Sequence, residues 1–253
     1  ELLAAPDCPD GVRDLILPPD QMYLQIHEAI GHPLGLDRIL GDERNYAGWS
    51  FVRPQDFGKL QYGSKLMNVT FDPGVASEFA SYAFDDCGNP AVREYLIKDG
   101  LLLRGLGSLE SQARLGLPGV ANFRAASWNR APIDRMANIN LEPGESSLAE
   151  MIAMTGRGIV MRANRSWSID DYRNKFQFGC EYGQLIEDGR LTKVVKNPNY
   201  RGVTAPFWNS LKAVGRRGES ELVGAPGCGK GEPAQVHRPR PSTPPAPPVG
   251  TAP

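Results

Sequence analysis

Residues 182–195, YGQLIEDGRLTKVV, read as two strands folded back on each other at Glu187-Asp188-Gly189. Apolar and polar side chains alternate on either side of Asp-Gly, the pair that best tolerates the positive φ angles of a two-residue hairpin turn. Residues 93–106, REYLIKDGLLLRGL, repeat the device around Lys98-Asp99-Gly100, with the shared pattern LI-x-DG-x-L. Two matches do not make a solenoid. They mark either a duplicated β unit or a favourable turn. Working outward, KLMNVTF at 65–71 alternates like a strand and stops at Asp72-Pro73-Gly74. Leu15-Ile16-Leu17 and residues 158–163 and 175–178 read as further strands. Ser147-x-x-Glu150 has capping-box spacing and predicts a helix over 147–155. Phe207, Trp208, Leu211 and Val214 lie at helical spacing and predict another over 205–214. Strands outnumber helices, so the expected class is α+β with a largely antiparallel sheet.

The bulk composition excludes several function classes. The chain has 253 residues, 41% hydrophobic and 23% charged, with a formal net charge of −1. That is the profile of a globular domain with a real core. It lacks the basic surplus of a nucleic-acid footprint. No run of about 18 apolar residues suggests a membrane span, and residues 1–14 do not read as a signal peptide. Cys8, Cys87, Cys180 and Cys228 are far apart with no CxxC spacing, which argues against a disulfide scaffold and for a reducing cytoplasm. The end of the chain, PRPSTPPAPPVGTAP at 239–253, is too poor in large apolar groups to offset chain entropy and is expected extended or disordered.

The chemical signal is HEAIGH at 27–32. Pro18 and Pro19 suit the first turn of a helix, and Met22, Leu24, Ile26, Ala29 and Ile30 carry it over 20–31 until His32-Pro33 and Gly35 disturb it. Two of the chain's three histidines flank Glu28 here. Neutral imidazoles are good zinc ligands, and a neighbouring glutamate can take a proton from water. The spacing, however, is i to i+5 rather than the i to i+4 of H-E-x-x-H. On a regular α-helix five residues separate the rings by roughly 140°. A local π-turn, at about 4.4 residues per turn, brings them back to within roughly 50°, and such turns occur mostly at functional sites. On spacing alone, two histidines at an ordinary helix end with Glu28 solvated fit as well as a metal pair.

Several segments, in order along the chain, resemble the TldD/PmbA metallopeptidase family in its TldD-like catalytic branch. HEAIGH is similar to the family's H-E-x-x-x-H. LIKDGLLLRGLGSLESQARLG (96–116) resembles its ENG-x-L-x-G hairpin and following helix. DRMANINLEPGESSLAEMI (134–152) resembles its PRM-x-N-x-x-L-x-PG segment, and FQFGCEYGQLIEDGRLTKVVKN (176–197) its late hairpin. CGKGEPAQV (228–236) resembles its closing CGK-x-G-Q region.

The resemblance implies a zinc peptidase with Glu28 as the general base and His27, His32 and a cysteine as ligands. It assigns the third ligand to Cys180, with Cys228 the competing thiol, expected to be structural. Asp42, Glu43 or Arg44 are candidates to orient a ligand or substrate. Arg135 and Asn138 are better read as structural. The family's organisation implies that residues 1–35 end an N-terminal region and carry the HExxxH helix and that 36–236 form a mainly β peptidase domain. The chain departs from the family at 237–253, a Pro-rich tail where family members close with an apolar strand, and this tail is not expected to pair as a central strand. The chain begins 26 residues before His27, so the family's N-terminal domain is expected to be missing from it. The resemblance further implies unfolded or extended peptides as substrates, leader peptides among them, and a homodimer or a heterodimer with a PmbA/TldE-like subunit. Two alternatives are a non-catalytic subunit that shapes the chamber of such a dimer and a peptide-binding module with a purely structural metal.

Overall fold

Two long strands, β8 (Arg157–Ile169) and β9 (Lys175–Glu187), form the spine of the molecule in the computed structural model, which describes residues 2–219, 221–224, 227–231, 235–237 and 249–252. They pair antiparallel, with a register shift between Asn164 and Ser166 just after Ala163, whose φ is +60°. The other side of β9 is shared. β10 (Arg190–Lys196) pairs with its second half and β11 (Asn199–Val203) with its first. Asp188 and Gly189 link β9 to β10 with φ of +47° and +74°, as the Asp-Gly hairpin reading requires.

Beyond β8 lies β1 (Arg13–Ile16), paired parallel to it. Next come β15 (Val249–Ala252) and β12 (Leu211–Ala213), each antiparallel to its neighbour. The sheet order is β10-β9-β8-β1-β15-β12, with β11 beside β9.

A second antiparallel sheet has the order β4-β3-β2-β7, built from β2 (Val69–Phe71), β3 (Glu94–Lys98), β4 (Leu101–Leu102) and β7 (Ile139–Leu141). Its Asp99-Gly100 turn has φ of +50° and +76°. A Cβ on Gly100 would stand 2.1 Å from the Gly63 carbonyl oxygen, so only glycine fits there. Two short ribbons complete the strands: β5 (Phe123–Arg124) with β6 (Ile133–Asp134), and β13 (Cys228–Lys230) with β14 (Gln235–His237).

Among the described residues six short α-helices accompany the sheets: α1 (Pro19–Ile26), α2 (Leu36–Leu40), α3 (Arg44–Ala47), α4 (Leu109–Leu115), α5 (Leu148–Ala153) and α6 (Thr204–Asn209). One apolar cluster runs through Ile26, Ile30 and Leu34, Phe71 and Ile97 of the second sheet, Phe178 of the first, and Trp208. Both sheets therefore share a core with the helix that carries the histidines. No helix among the described residues is long and apolar enough to cross a membrane.

The α+β, mostly antiparallel reading holds, as do both hairpins. The α5 cap is also as expected: Glu150 N donates to Ser147 Oγ at 3.2 Å and Ser147 N to Glu150 Oε2 at 2.7 Å. Three segments differ. The helix expected over 205–214 stops at Asn209, because Leu211 and Ala213 are buried alternately and pair with β15, a partner supplied from far along the chain. The strand expected over 65–71 begins only at Val69, since Ser64 to Met67 closes a turn, with Met67 N on Ser64 O at 2.9 Å. Within the Pro-rich tail, Val249–Ala252 lies inside a sheet rather than apart from it. Those four residues contain no proline, so the ladder loses no donor there. Residues 238–248 lie outside the described residues.

Candidate metal centre

The histidine helix starts where the prolines permit. Pro19 occupies its first turn, where no amide donor is needed. Its first turns are fastened to the large sheet by buried polar groups. Asp20 Oδ2 accepts from Ala163 N at 2.8 Å, at the β8 irregularity. Gln21 Nε2 donates to the Tyr200 hydroxyl at 3.0 Å, and that hydroxyl donates to Gln25 Oε1 at 3.0 Å. These contacts fix the rotation of α1 and so the direction its later residues face.

At His27 the helix widens. Residues His27–Gly31 form a π-turn, and His32 N donates to His27 O at 3.0 Å. The widening puts the two imidazoles side by side despite their i to i+5 spacing, with ring centroids 4.5 Å apart and planes at 89°. Of the two arrangements that the spacing left open, the π-turn is the one present.

The third donor comes from the other end of the chain. Cys228 Sγ stands 3.5 Å from His32 Nε2. One ligand atom each from His27, His32 and Cys228 lies within 4.8 Å of the others, the one such trio among the described residues. Cys180, expected as the third ligand, is not in that group. It is buried in β9, and burial, reinforced by Asp20, pushes its thiol up to about 12, a state unsuited to supplying a thiolate. Cys228, expected to be structural, is the thiol that lies with the two histidines. Sequence alone offered little to separate two cysteines each beside a glycine. The usable signal was the constrained CGKG run.

The charge environment keeps the histidines as neutral donors. Burial, followed by Arg135 and Arg173, lowers His27 to about 3. Burial and the neighbouring cations put His32 well below its ordinary value too. Among the described residues His27 Nδ1 has no hydrogen-bond partner although it is buried. A lone pair left without a partner in a site with a second imidazole and a thiol is what a soft-to-borderline metal ion satisfies, so the donor set fits zinc.

Glu28 lies on the same turn, 6% exposed, and forms an ion pair with Arg173. Burial raises its carboxyl, opposed by Arg173 and Arg38 and by hydrogen bonds from Arg173 and Trp167. Arg173 sits at the β8–β9 hairpin tip with φ of +60°. That tip is held by Trp49 N on Asp171 O at 2.7 Å, Phe51 N on Tyr172 O at 2.8 Å, and stacking of Trp49 on Tyr172. Sequence reading did not single out Arg173.

Of the other candidates, Glu43 Oε2 accepts from Gly231 N at 3.2 Å. Asp42 pairs with Arg114 at the surface, and Arg44 lies over the Trp49 ring. Arg135, 1% exposed, reaches the site, with Nη2 on the Cys228 carbonyl oxygen at 2.6 Å. Asn138 is a buttress, donating to Asp72 O and Ser81 Oγ.

Residues 10–238 match the family model described as the PmbA/TldA metallopeptidase C-terminal domain. A metalloprotease of Methanocaldococcus jannaschii is 32% identical over 88% of this chain and 50% of its own length. A protein of Saccharolobus solfataricus named zinc metalloprotease TldD homolog is 24% identical over 81% of this chain and 44% of its own length. The crystal structure of TldE from Thermococcus kodakarensis superposes with a TM-score of 0.75 at 16% identity, over 97% of this chain and 51% of that one, a likeness of fold. The chain spans about half the length of the curated relatives it matches.

Proposed function

The chain belongs to the PmbA/TldA metallopeptidase family, and on that footing we propose that it is the catalytic portion of a zinc-dependent peptidase acting on unfolded or extended peptides, leader peptides among them. The observation that carries this reading is the convergence of His27, His32 and Cys228 beside Glu28. Three protein donors leave a fourth position for water or substrate, the composition of catalytic rather than structural zinc sites. When bound, the ion supplies Lewis acidity.

The chain's own groups do the rest. The two imidazoles and the thiolate hold the ion. A Glu28 carboxylate oxygen takes a proton from the attacking water and returns it to the leaving peptide nitrogen. Arg173 holds that carboxylate in place and offsets part of the cost of its burial. Exposed strand edges suit an extended peptide, which docks by adding main-chain hydrogen bonds to a sheet. Assembly as a dimer, with a second copy or with a TldE-like subunit, and a cytoplasmic location belong to the same proposal.

The test is metal content and peptide cleavage of the purified chain. About one zinc per chain is expected in the wild type and in Cys180→Ser, with loss in Cys228→Ser and His32→Ala. Zinc retained in Cys228→Ser sinks the ligand assignment. Cleavage of an unstructured peptide, by the chain alone or mixed with a TldE-like subunit, tests the activity. A zinc-loaded protein inert in both settings overturns the peptidase reading.

A further inference from the structure

The strand that bears Cys228 has little to hold it in place except polar contacts. Among the described residues β13 pairs with β14 and with no strand of either main sheet. Cys228 is half-buried, Gly229 is exposed, and Val236 on β14 is 65% exposed. Burial of apolar surface therefore does not fix the thiol. Lys230 stands in contrast: its side chain is 8% exposed and forms an ion pair with Asp37, itself 10% exposed. Its Nζ also donates to the Asp134 carbonyl oxygen at 2.7 Å. The next residue, Arg135, donates to the Cys228 carbonyl oxygen at 2.6 Å. Two adjacent residues of one segment thus grip positions 228 and 230 of the other. Asp37 lies in the first turn of α2, which is joined to His32 by the short Pro33-Leu34-Gly35 link. The ammonium of Lys230 consequently ties the cysteine strand to the same piece of chain that carries the histidine.

We propose that Lys230 is a positioning residue for the metal site: its buried bridge between Asp37 and the Asp134 carbonyl, with Arg135 on Cys228, sets the Cys228 thiol against His32. The proposal rests on the metal-ligand reading above. It makes affinity for the metal depend on a charge outside the donor trio. Outer contacts of this kind typically change metal affinity by about 10–100-fold.

The test titrates metal-free full chain with Co(II), reading the near-ultraviolet thiolate-to-metal charge-transfer band. Wild type is compared with Cys228→Ser, Lys230→Met and the double variant Lys230→Met/Asp37→Asn. The double variant removes both buried charges together, so it avoids the isolated carboxylate that threatens folding in the single one. The expected result is a band in the wild type, none in Cys228→Ser, and at least about tenfold weaker Co(II) binding with a diminished band in the folded double variant. Wild-type affinity and band in the double variant overturn the proposal. A second readout needs no metal: iodoacetamide alkylation of Cys228, followed by mass spectrometry against exposed Cys87. The rate is expected to rise several-fold in the double variant, and an unchanged rate overturns the clamp. A wild type that binds Co(II) without a thiolate band sinks the ligand reading instead, and the alkylation rates then decide the clamp separately.

Discussion

The hydroxyl of Tyr62 donates to the carbonyl oxygen of Ala29 at 2.6 Å, inside the π-turn. In an α-helix that oxygen would accept from residue 33, but Pro33 has no amide hydrogen. A side chain from outside the helix supplies the missing donor. Tyr62 is fully buried, so no solvent can substitute. Tyr62→Phe is expected to lower stability by about 1–3 kcal/mol, the cost of an unsatisfied buried acceptor. Urea unfolding measures it. A midpoint equal to wild type would mean that the turn does not depend on this bond.

Glu28→Gln separates metal binding from chemistry. The amide cannot accept the water's proton, so peptide cleavage should fall by about 10²- to 10⁴-fold. Metal content should stay near wild type, because Glu28 is not in the donor trio. Cleavage at wild-type rate would assign the base elsewhere.

Gly48 is where the 48–51 loop meets the hairpin tip. It has φ of +80°, and an added Cβ would stand 2.5 Å from the Asp171 carbonyl oxygen. Both strain and collision push the tip outward, and the tip carries Arg173 to Glu28. Gly48→Ala is expected to reduce cleavage at least several-fold while zinc content is retained. Equal loss of both would show a general folding defect instead.

Cys180 gives a pH dependence whose sign can be worked out. Its folded thiol is raised to about 12, chiefly by burial. In the unfolded chain an ordinary thiol ionises near about 8.5–9. Between these values the unfolded chain has lost the proton that the folded one keeps. Stability is therefore full below the unfolded value and is lost as pH rises through that window. Unfolding in urea should show Cys180→Ala losing roughly 1 kcal/mol less than wild type between about pH 8.5 and pH 10. Parallel losses in the two proteins would refute the assignment.

Local rules carried the sequence reading a long way. Asp99-Gly100 and Asp188-Gly189 declare their turns because few other pairs accept two positive φ angles. The i to i+5 histidines allow either a π-turn or an ordinary helix end, and Gly31 and Pro33 admit the π-turn without deciding for it. What stayed hidden depends on partners far along the chain. Leu211 and Val214 continue the helical spacing of Phe207 and Trp208, yet Leu211–Ala213 becomes β12 because β15 offers hydrogen bonds. Beyond the CGKG run, Cys180 and Cys228 differ little locally, and the packing of β9 into the core and of Cys228 against His32 tells them apart. Arg173 left no local trace, since its partner Glu28 lies 145 residues earlier.

The sequence separation of 196 between His32 and Cys228 sets an order of events during synthesis. A polypeptide still emerging from the ribosome exposes the HEAIGH segment early, yet cannot complete the three-donor set until residue 228 has cleared the exit tunnel. Prematurely terminated products that keep the histidines therefore lack the thiol.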